Sequence, residues 1–144
     1  MDIEEFPKIT EEQIDQLLAY LPYFEGEGPF GVWEEQEKTH PHIIGIPHIN
    51  YDEKVCEFLL LLRQTGFQVV YDWPGWDEGR EIISDPEKIA KSDLLTLRKL
   101  MTALVRSDRF VEGAFMSAIA DGKIGLLLRQ LKTLKDEGRL FEDV

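Results

Sequence analysis

Residues 92–137 decide the fold, and they read SDLLTLRKLMTALVRSDRFVEGAFMSAIADGKIGLLLRQLKTLKDE. Apolar residues recur in this stretch at spacings of three and four, which is the period of an amphipathic helix. Ser92 is a predicted N-cap, and Gly122 is a typical helix stop. The pattern predicts one helix after Ser92 and two more over 110–121 and 123–137, joined by short loops that make them antiparallel or steeply crossed neighbours.

The N-terminal half is predicted to be less regular. A capping box formed by Thr10 and Gln13 starts a helix over 10–24, and Pro22 distorts or ends its last turn. Residues 25–50 are rich in glycine and proline and predict a long connection that contains short strands, one of them at Ile43–Ile46.

The middle of the chain is predicted to hold a central helix and a strand. Residues 52–64 form an apolar run that indicates a buried helix, within which Cys56 is a small hydrophobic residue. The β-branched and aromatic residues of 67–73 predict a strand, and residues 74–83 predict a loop. A short helix follows the N-cap of Asp85.

These elements together predict a mainly α protein, a compact single-domain helical fold of five or six helices with a minor strand or hairpin near residues 67–73. The chain has 144 residues, the usual length of one domain, and we interpret 1–144 as a single globular domain.

The charge is unevenly distributed along the chain. The net charge is −12, and residues 1–37 alone hold eleven acidic residues and one basic residue. Such a field argues against nucleic acid as a partner, because Lys and Arg must neutralise phosphates. The acidic region is either a solvated face or a docking surface for a basic partner protein. The acidic start and the short apolar runs predict no secretory signal, no membrane segment and a cytoplasmic location.

A basic segment near residue 106 is the first candidate site. Arg106 and Arg109 lie three residues apart, which places them on one side of a helix, and Asp108 and Glu112 are interleaved with them. Paired arginines bind phosphate or carboxylate groups through bidentate hydrogen bonds. The alternative is that both arginines pair with Asp108, Glu112 or the acidic N-terminal region and hold the fold together.

An aromatic turn after the predicted strand is the second candidate site. Trp73 and Trp76 flank Pro74-Gly75, with Asp72 and Asp77 on either side. Tryptophans at a turn form an interface hot spot or a stacking wall for a flat ligand. The alternative is that they close over the edge of the core.

Other chemistry finds little support in the sequence. His40, His42 and His48 match no zinc spacing, and Cys56 is the only cysteine. Phosphate-binding loops, dinucleotide-binding glycine motifs and hydrolase signatures are absent. We therefore predict no metal, no cofactor and no catalytic residue.

The segment from Leu100 to Gly113 resembles the C-terminal signature of a prokaryotic family of unknown function, R-x-x-R-F-x-x-G, read here from Arg106. The Tyr20–Phe24 block and the tryptophan turn are similar to earlier blocks of that family, so the resemblance extends from about Tyr20 to Leu131. It implies one domain of an uncharacterised family, and it implies no activity, cofactor or catalytic residue.

Three hypotheses follow. The favoured one is a non-catalytic protein-interaction or regulatory module that binds a partner through the acidic N-terminal region or the Trp73/Trp76 turn. The second is a binder of a small anionic or nucleotide-like ligand, held by Arg106 and Arg109 and stacked on Trp73 or Trp76. The third is an acid–base enzyme that uses Asp72, Asp108 or Glu112 in the same cleft.

Overall fold

The structure is a computed structural model that describes residues 6–35 and 47–141. In these ranges the chain forms eight helical segments and one β-hairpin. Six helices have seven residues or more, and two are single turns. The elements are α1 (Glu11–Leu18), α2 (Leu21–Phe24), β1 (Gly31–Glu35), β2 (Pro47–Tyr51), α3 (Glu53–Gln64), α4 (Asp77–Ile83), α5 (Pro86–Ile89), α6 (Leu94–Ser107), α7 (Ala114–Ala120) and α8 (Lys123–Asp136). The prediction of a mainly α fold is confirmed.

The predicted N-terminal helix is divided in two. Its capping box is present, since Gln13 N donates to Thr10 Oγ1 at 3.2 Å and Thr10 N donates to Gln13 Oε1 at 2.9 Å. The helix ends at Leu18, because Pro22 has no N–H and its ring clashes with a preceding carbonyl in a continuous helix. Pro22 lies instead in the first turn of α2, where a missing N–H costs little.

The C-terminal helices follow the predicted pattern with two changes. Asp93 caps α6, since its Oδ1 accepts from Thr96 N at 2.9 Å, whereas Ser92 is buried. The second helix begins at Ala114 rather than 110, because residues 108–113 form a turn that ends at Gly113 with a φ of +82°. Only glycine adopts such a φ without strain.

The central helix is α8, and the prediction that the 52–64 helix is central and buried is wrong. α8 packs against α1, α2, α5, α6 and α7. In α3 one face is buried by Val55, Phe58 and Leu62, while Leu60 is 51% exposed and Cys56 is exposed too. A helix that touches the core on one side leaves its remaining apolar residues in solvent.

The minor β element exists, but its position differs from the prediction. β1 and β2 form an antiparallel hairpin in which Gly31 lies opposite Tyr51, so the 25–50 connection does contain strands. Residues 67–73 do not form the predicted strand: Val70 is a single β-bridge residue, and Gln68 and Tyr71 lie in bends. The segment lies against α6, where Val69 N donates to Thr102 Oγ1 at 3.0 Å. Residues 77–83, predicted as loop, form α4. Ile43–Ile46 lies outside the described residues.

Buried Arg98 of α6 binds the start of the 67–73 segment. Its Nε donates to Phe67 O at 3.1 Å, and its Nη2 donates to Gly66 O at 2.7 Å and to Pro7 O at 2.5 Å. Burial lowers the pKa of the Arg98 guanidinium. One side chain thus joins the N-terminal segment, the end of α3 and α6.

Among the described helices, none combines the length and apolarity that crossing a bilayer requires.

Candidate functional site

Asp108 ties the hairpin to the turn between α6 and α7. Its Oδ1 accepts from the Tyr51 hydroxyl at 2.8 Å and from Phe115 N at 3.0 Å. The Tyr51 oxygen in turn accepts from Met116 N at 3.1 Å. Burial and the hydrogen bond to Asp108 raise the pKa of Tyr51 well above its ordinary value, so the phenol stays a donor.

Glu112 makes a second connection between the same two elements. Its Oε1 accepts from Ile49 N at 2.9 Å, so a carboxylate satisfies this backbone amide of β2. The sequence pointed to Asp108 and Glu112 as site residues but gave no sign of Tyr51, which lies more than 50 residues away. These two carboxylates therefore hold β2 against the 108–113 turn.

Arg106 and Arg109 take no part in this network. Arg106 is half-buried in the last turn of α6, and Arg109 is exposed in the 108–113 turn. Within the described residues neither forms an ion pair. Pairing with Asp108 or Glu112 is not observed, and those carboxylates accept from the hairpin and from α7 instead. Pairing with acidic N-terminal residues outside the described ranges stays a prediction.

Other basic residues form ion pairs with the acidic N-terminal region. Arg129 Nε donates to Glu25 Oε2 at 3.2 Å, and Lys135 forms an ion pair with Asp15. The hydrogen bond from Arg129 to Glu25 raises the pKa of the guanidinium. Both basic residues project from α8, so the central helix also supplies the charges that face the acidic quarter of the chain.

Trp76 lies over the first turns of α4. A Cβ at Gly79 would lie 2.7 Å from Trp76 Cζ3, closer than real Cβ atoms come, so only glycine admits the ring here. Tyr71 meets this ring edge-on, with 5.7 Å between centroids. Lys99 Nζ lies 4.5 Å from the Trp76 centroid, within the range of a cation–π contact.

Trp73 contacts Phe110 from the 108–113 turn, with 5.9 Å between ring centroids. Phe110 is 77% exposed and Val111 is 63% exposed. Both residues were predicted to belong to a helix over 110–121, but they lie in the 108–113 turn, which carries them away from the core. We call Trp73, Trp76, Phe110 and Val111 the aromatic surface. The structure thus brings together the two segments that the sequence singled out.

A cleft of about 150 Å³ opens beside the two tryptophans. Arg80 is the charged residue among those that line it, and Arg106, Arg109 and Asp72 are not among them. Asp72 is exposed, and its Oδ1 accepts from Gly75 N at 3.4 Å within the turn. The lining residues are Trp73, Pro74, Trp76, Gly79, Arg80, Ile83, Leu100, Ala103, Leu104 and Ser107.

A larger cavity, of about 740 Å³, was not anticipated from the sequence. It lies between the loop after α2, the start of β1, and helices α7 and α8. Four glycines line it (Gly26, Gly31, Gly122 and Gly125), and we call it the glycine-lined cavity. Its residues are far apart in the chain, and glycine and small apolar residues carry no recognisable spacing.

Metal ligands are not grouped in the part of the chain that the structure describes, where no three His, Cys, Asp or Glu side chains lie close enough to share an ion. His40 and His42 lie outside that part, and the side chain of His48 is not described. The interpretation of the histidine loop stays a prediction.

Comparison with known proteins gives the chain its family. No curated protein and no solved structure matches it. A family model does match, over residues 9–137, and this span includes α1 to α8, the aromatic surface and both cavities. The chain therefore belongs to DUF6508, a family of unknown function.

Proposed function

We propose that this domain is a non-catalytic protein-interaction module whose cleft takes one large apolar side chain of a partner protein. The observation that carries the proposal is the exposure of Phe110, 77% of whose surface faces solvent while its ring contacts Trp73, a residue that lines the cleft. Trp73 and Trp76 are half-buried, so Phe110 and Val111 supply the exposed apolar area of the aromatic surface. Exposed apolar side chains beside a pocket are typical of protein-binding sites.

The size of the cleft fits a single side chain. An apolar cavity of about 150 Å³ is large enough for one benzene ring, and the cleft has that volume. Pockets for drug-sized ligands start at about 300 Å³. A partner that inserts one aromatic or large aliphatic residue therefore fills the cleft. The aromatic surface then contacts the partner's backbone on either side of that residue.

We call the partner's inserted side chain the anchor residue. The charge of the domain beside the cleft indicates which partner residues flank this anchor. Arg106 and Arg109 border Ser107 and Phe110, and no described carboxylate pairs with either arginine. Acidic residues beside the anchor would meet these two guanidinium groups and form charge-assisted hydrogen bonds. The proposed partner segment is thus an acidic peptide with one apolar anchor. Docking of a basic partner on the acidic N-terminal region is less supported, since Glu25 and Asp15 are already paired.

The second candidate function is the binding of a small anionic ligand, and the unpaired state of Arg106 and Arg109 within the described residues favours it. Against it, neither arginine lines the cleft, so a ligand stacked between Trp73 and Trp76 would not reach both guanidinium groups from inside it. The acid–base hypothesis has less support, because Asp108 and Glu112 accept hydrogen bonds from the hairpin.

Selection of a random peptide library displayed on phage tests the proposal. The folded domain is the target, and peptides enriched on it are expected to share one aromatic or large aliphatic residue with acidic neighbours. Basic peptides, or no enrichment at all, would contradict the proposal. If inorganic phosphate stabilises the domain while no peptide is enriched, the second candidate replaces it.

Two matched variants locate the binding. Ala103 is a half-buried residue of α6 in the cleft wall, and Ala103→Leu fills the cleft without changing a charge. Ala90→Leu makes the same change at the exposed residue that follows α5, outside both cavities. The enriched peptides are expected to bind Ala90→Leu and not Ala103→Leu.

We also propose that the domain acts in the cytoplasm. The single, exposed Cys56 supports this location, because a free thiol is typical of a reducing compartment. Fractionation of cells that express the tagged chain at its native level tests it, and recovery outside the cytoplasm would refute it.

A further inference from the structure

The glycine-lined cavity has the dimensions of a ligand site. Its volume of about 740 Å³ lies within the range of about 300–1,000 Å³ found for small-molecule pockets. Apolar side chains, among them Phe30, Met116 and Leu126, form most of its lining. The four glycines contribute no side chain, so peptide backbone forms that part of the wall, beside the rings of Phe24 and Phe30.

Packing explains one of these glycines and leaves another unexplained. A Cβ at Gly31 would lie 2.7 Å from Met116 Cε and 2.8 Å from Asn50 O, so the hairpin requires glycine there. A Cβ at Gly125 would meet Glu25 Cγ at 3.7 Å and Phe24 O at 3.9 Å, which are ordinary contacts. Glycine within a helix is unfavourable relative to alanine. Packing therefore does not require glycine at position 125. A side chain there would reduce the volume of the cavity, so glycine keeps the cavity open.

The charges at the rim of the cavity are mainly negative. Glu25 and Arg129 neutralise each other in a two-point ion pair. Glu27 also lines the cavity and is exposed, and it has no ion-pair partner among the described residues. The rim thus carries one uncompensated carboxylate beside an apolar floor, in the most acidic quarter of the chain.

We propose that the glycine-lined cavity binds a small organic cation with a flat apolar body, such as an aromatic amine. The flat body lies against the glycine and aromatic wall, and the ammonium group meets Glu27. This site is separate from the cleft at Trp73 and Trp76, and the proposal does not depend on the protein-binding function.

Calorimetric titration with tryptamine, using indole-3-acetate as the matched anion, tests the proposal on the full chain. Saturable binding of tryptamine without binding of indole-3-acetate is expected. Glu27→Gln should weaken tryptamine binding about three- to fivefold, the size of a partly solvated charge contact. No saturable binding, or equal binding of the two compounds, would overturn the proposal.

Gly125→Ala separates a ligand role from a structural one. Alanine favours the helix and fills part of the cavity, so the variant should melt about 2–3 °C higher and bind tryptamine more weakly. Unchanged binding in both Gly125→Ala and Glu27→Gln would overturn the proposed location. Binding that is lost only in Ala103→Leu would place tryptamine in the cleft, and it would equally refute this site.

Discussion

Replacing Tyr51 by phenylalanine removes one hydroxyl that links three elements. That hydroxyl donates to Asp108 and accepts from Met116 N, at 2.8 and 3.1 Å. Each hydrogen bond contributes about 0.5–1.5 kcal/mol net, and a partly buried amide left without an acceptor adds to the loss. We expect Tyr51→Phe to lower the free energy of unfolding by about 2 kcal/mol.

The size of this effect converts into a melting temperature. At about 2.1 cal/mol/K per residue, the unfolding entropy of a chain of this length is about 0.3 kcal/mol/K. A loss of about 2 kcal/mol therefore lowers the melting temperature by about 6–7 °C. Differential scanning calorimetry at neutral pH measures this shift, and chemical denaturation gives the free energy independently.

Tyr20→Phe is the matched control. The Tyr20 ring packs on Phe58 with 5.6 Å between centroids, and its hydroxyl makes no hydrogen bond within the described residues. We expect a change below about 0.5 kcal/mol for this control. If the two variants melt at the same temperature, or if Tyr51→Phe melts with the wild type, the Tyr51–Asp108 connection does not hold the hairpin.

Three further predictions concern other contacts. Gly79→Ala should displace the Trp76 ring, cost about 1–3 kcal/mol and shift tryptophan fluorescence to longer wavelength; an unshifted spectrum would show that the ring tolerates a methyl group. Arg98→Lys should cost about 2–4 kcal/mol in chemical denaturation, because an ammonium cannot match the guanidinium's three carbonyl contacts, whereas the exposed Arg63→Lys should be neutral. Burial raises the pKa of the Tyr71 hydroxyl, so just above pH 10 this hydroxyl ionises in the unfolded chain and not in the folded one. Its contribution to the free energy of unfolding is therefore complete below pH 10 and decreases as the pH rises further. We expect a smaller decrease in Tyr71→Phe.

Local signals in the sequence predicted the elements whose causes are themselves local. The Thr10 capping box, the Asp85 cap and the apolar spacing of α8 each act within a few residues, and all three are present in the structure. The division of the first helix at Pro22 follows from the same kind of local rule. Local signals thus predict where α1 and α5 begin and which face of α8 is buried.

Features that depend on distant partners were not predictable from spacing. The hairpin lies against the 108–113 turn through the contacts of Tyr51 with Asp108 and of Ile49 with Glu112, and no pattern in 47–51 predicts either contact. The exposure of Cys56 depends on which face of α3 meets α1. Apolar spacing shows that a helix has an apolar face, but it does not show how much of that face finds a partner.

The candidate site was predicted in part. Both segments were identified, but the arginines expected to share a ligand with Trp73 or Trp76 do not line the cleft, and Phe110 contacts Trp73 instead. The reason is the 108–113 turn, which separates α6 from α7 where a helix was predicted from residue 110. Phe110 and Val111 lie in this turn and are exposed.

A double-mutant cycle between the domain and one selected peptide tests the proposed cleft most directly. The cycle combines Ala103→Leu in the domain with replacement of the peptide's apolar anchor by alanine, and calorimetry gives the four dissociation constants. If the anchor occupies the cleft, its replacement should cost about 2 kcal/mol or more in the wild type and almost nothing in Ala103→Leu. Equal costs in the two domains would show that the peptide binds elsewhere and would contradict the account.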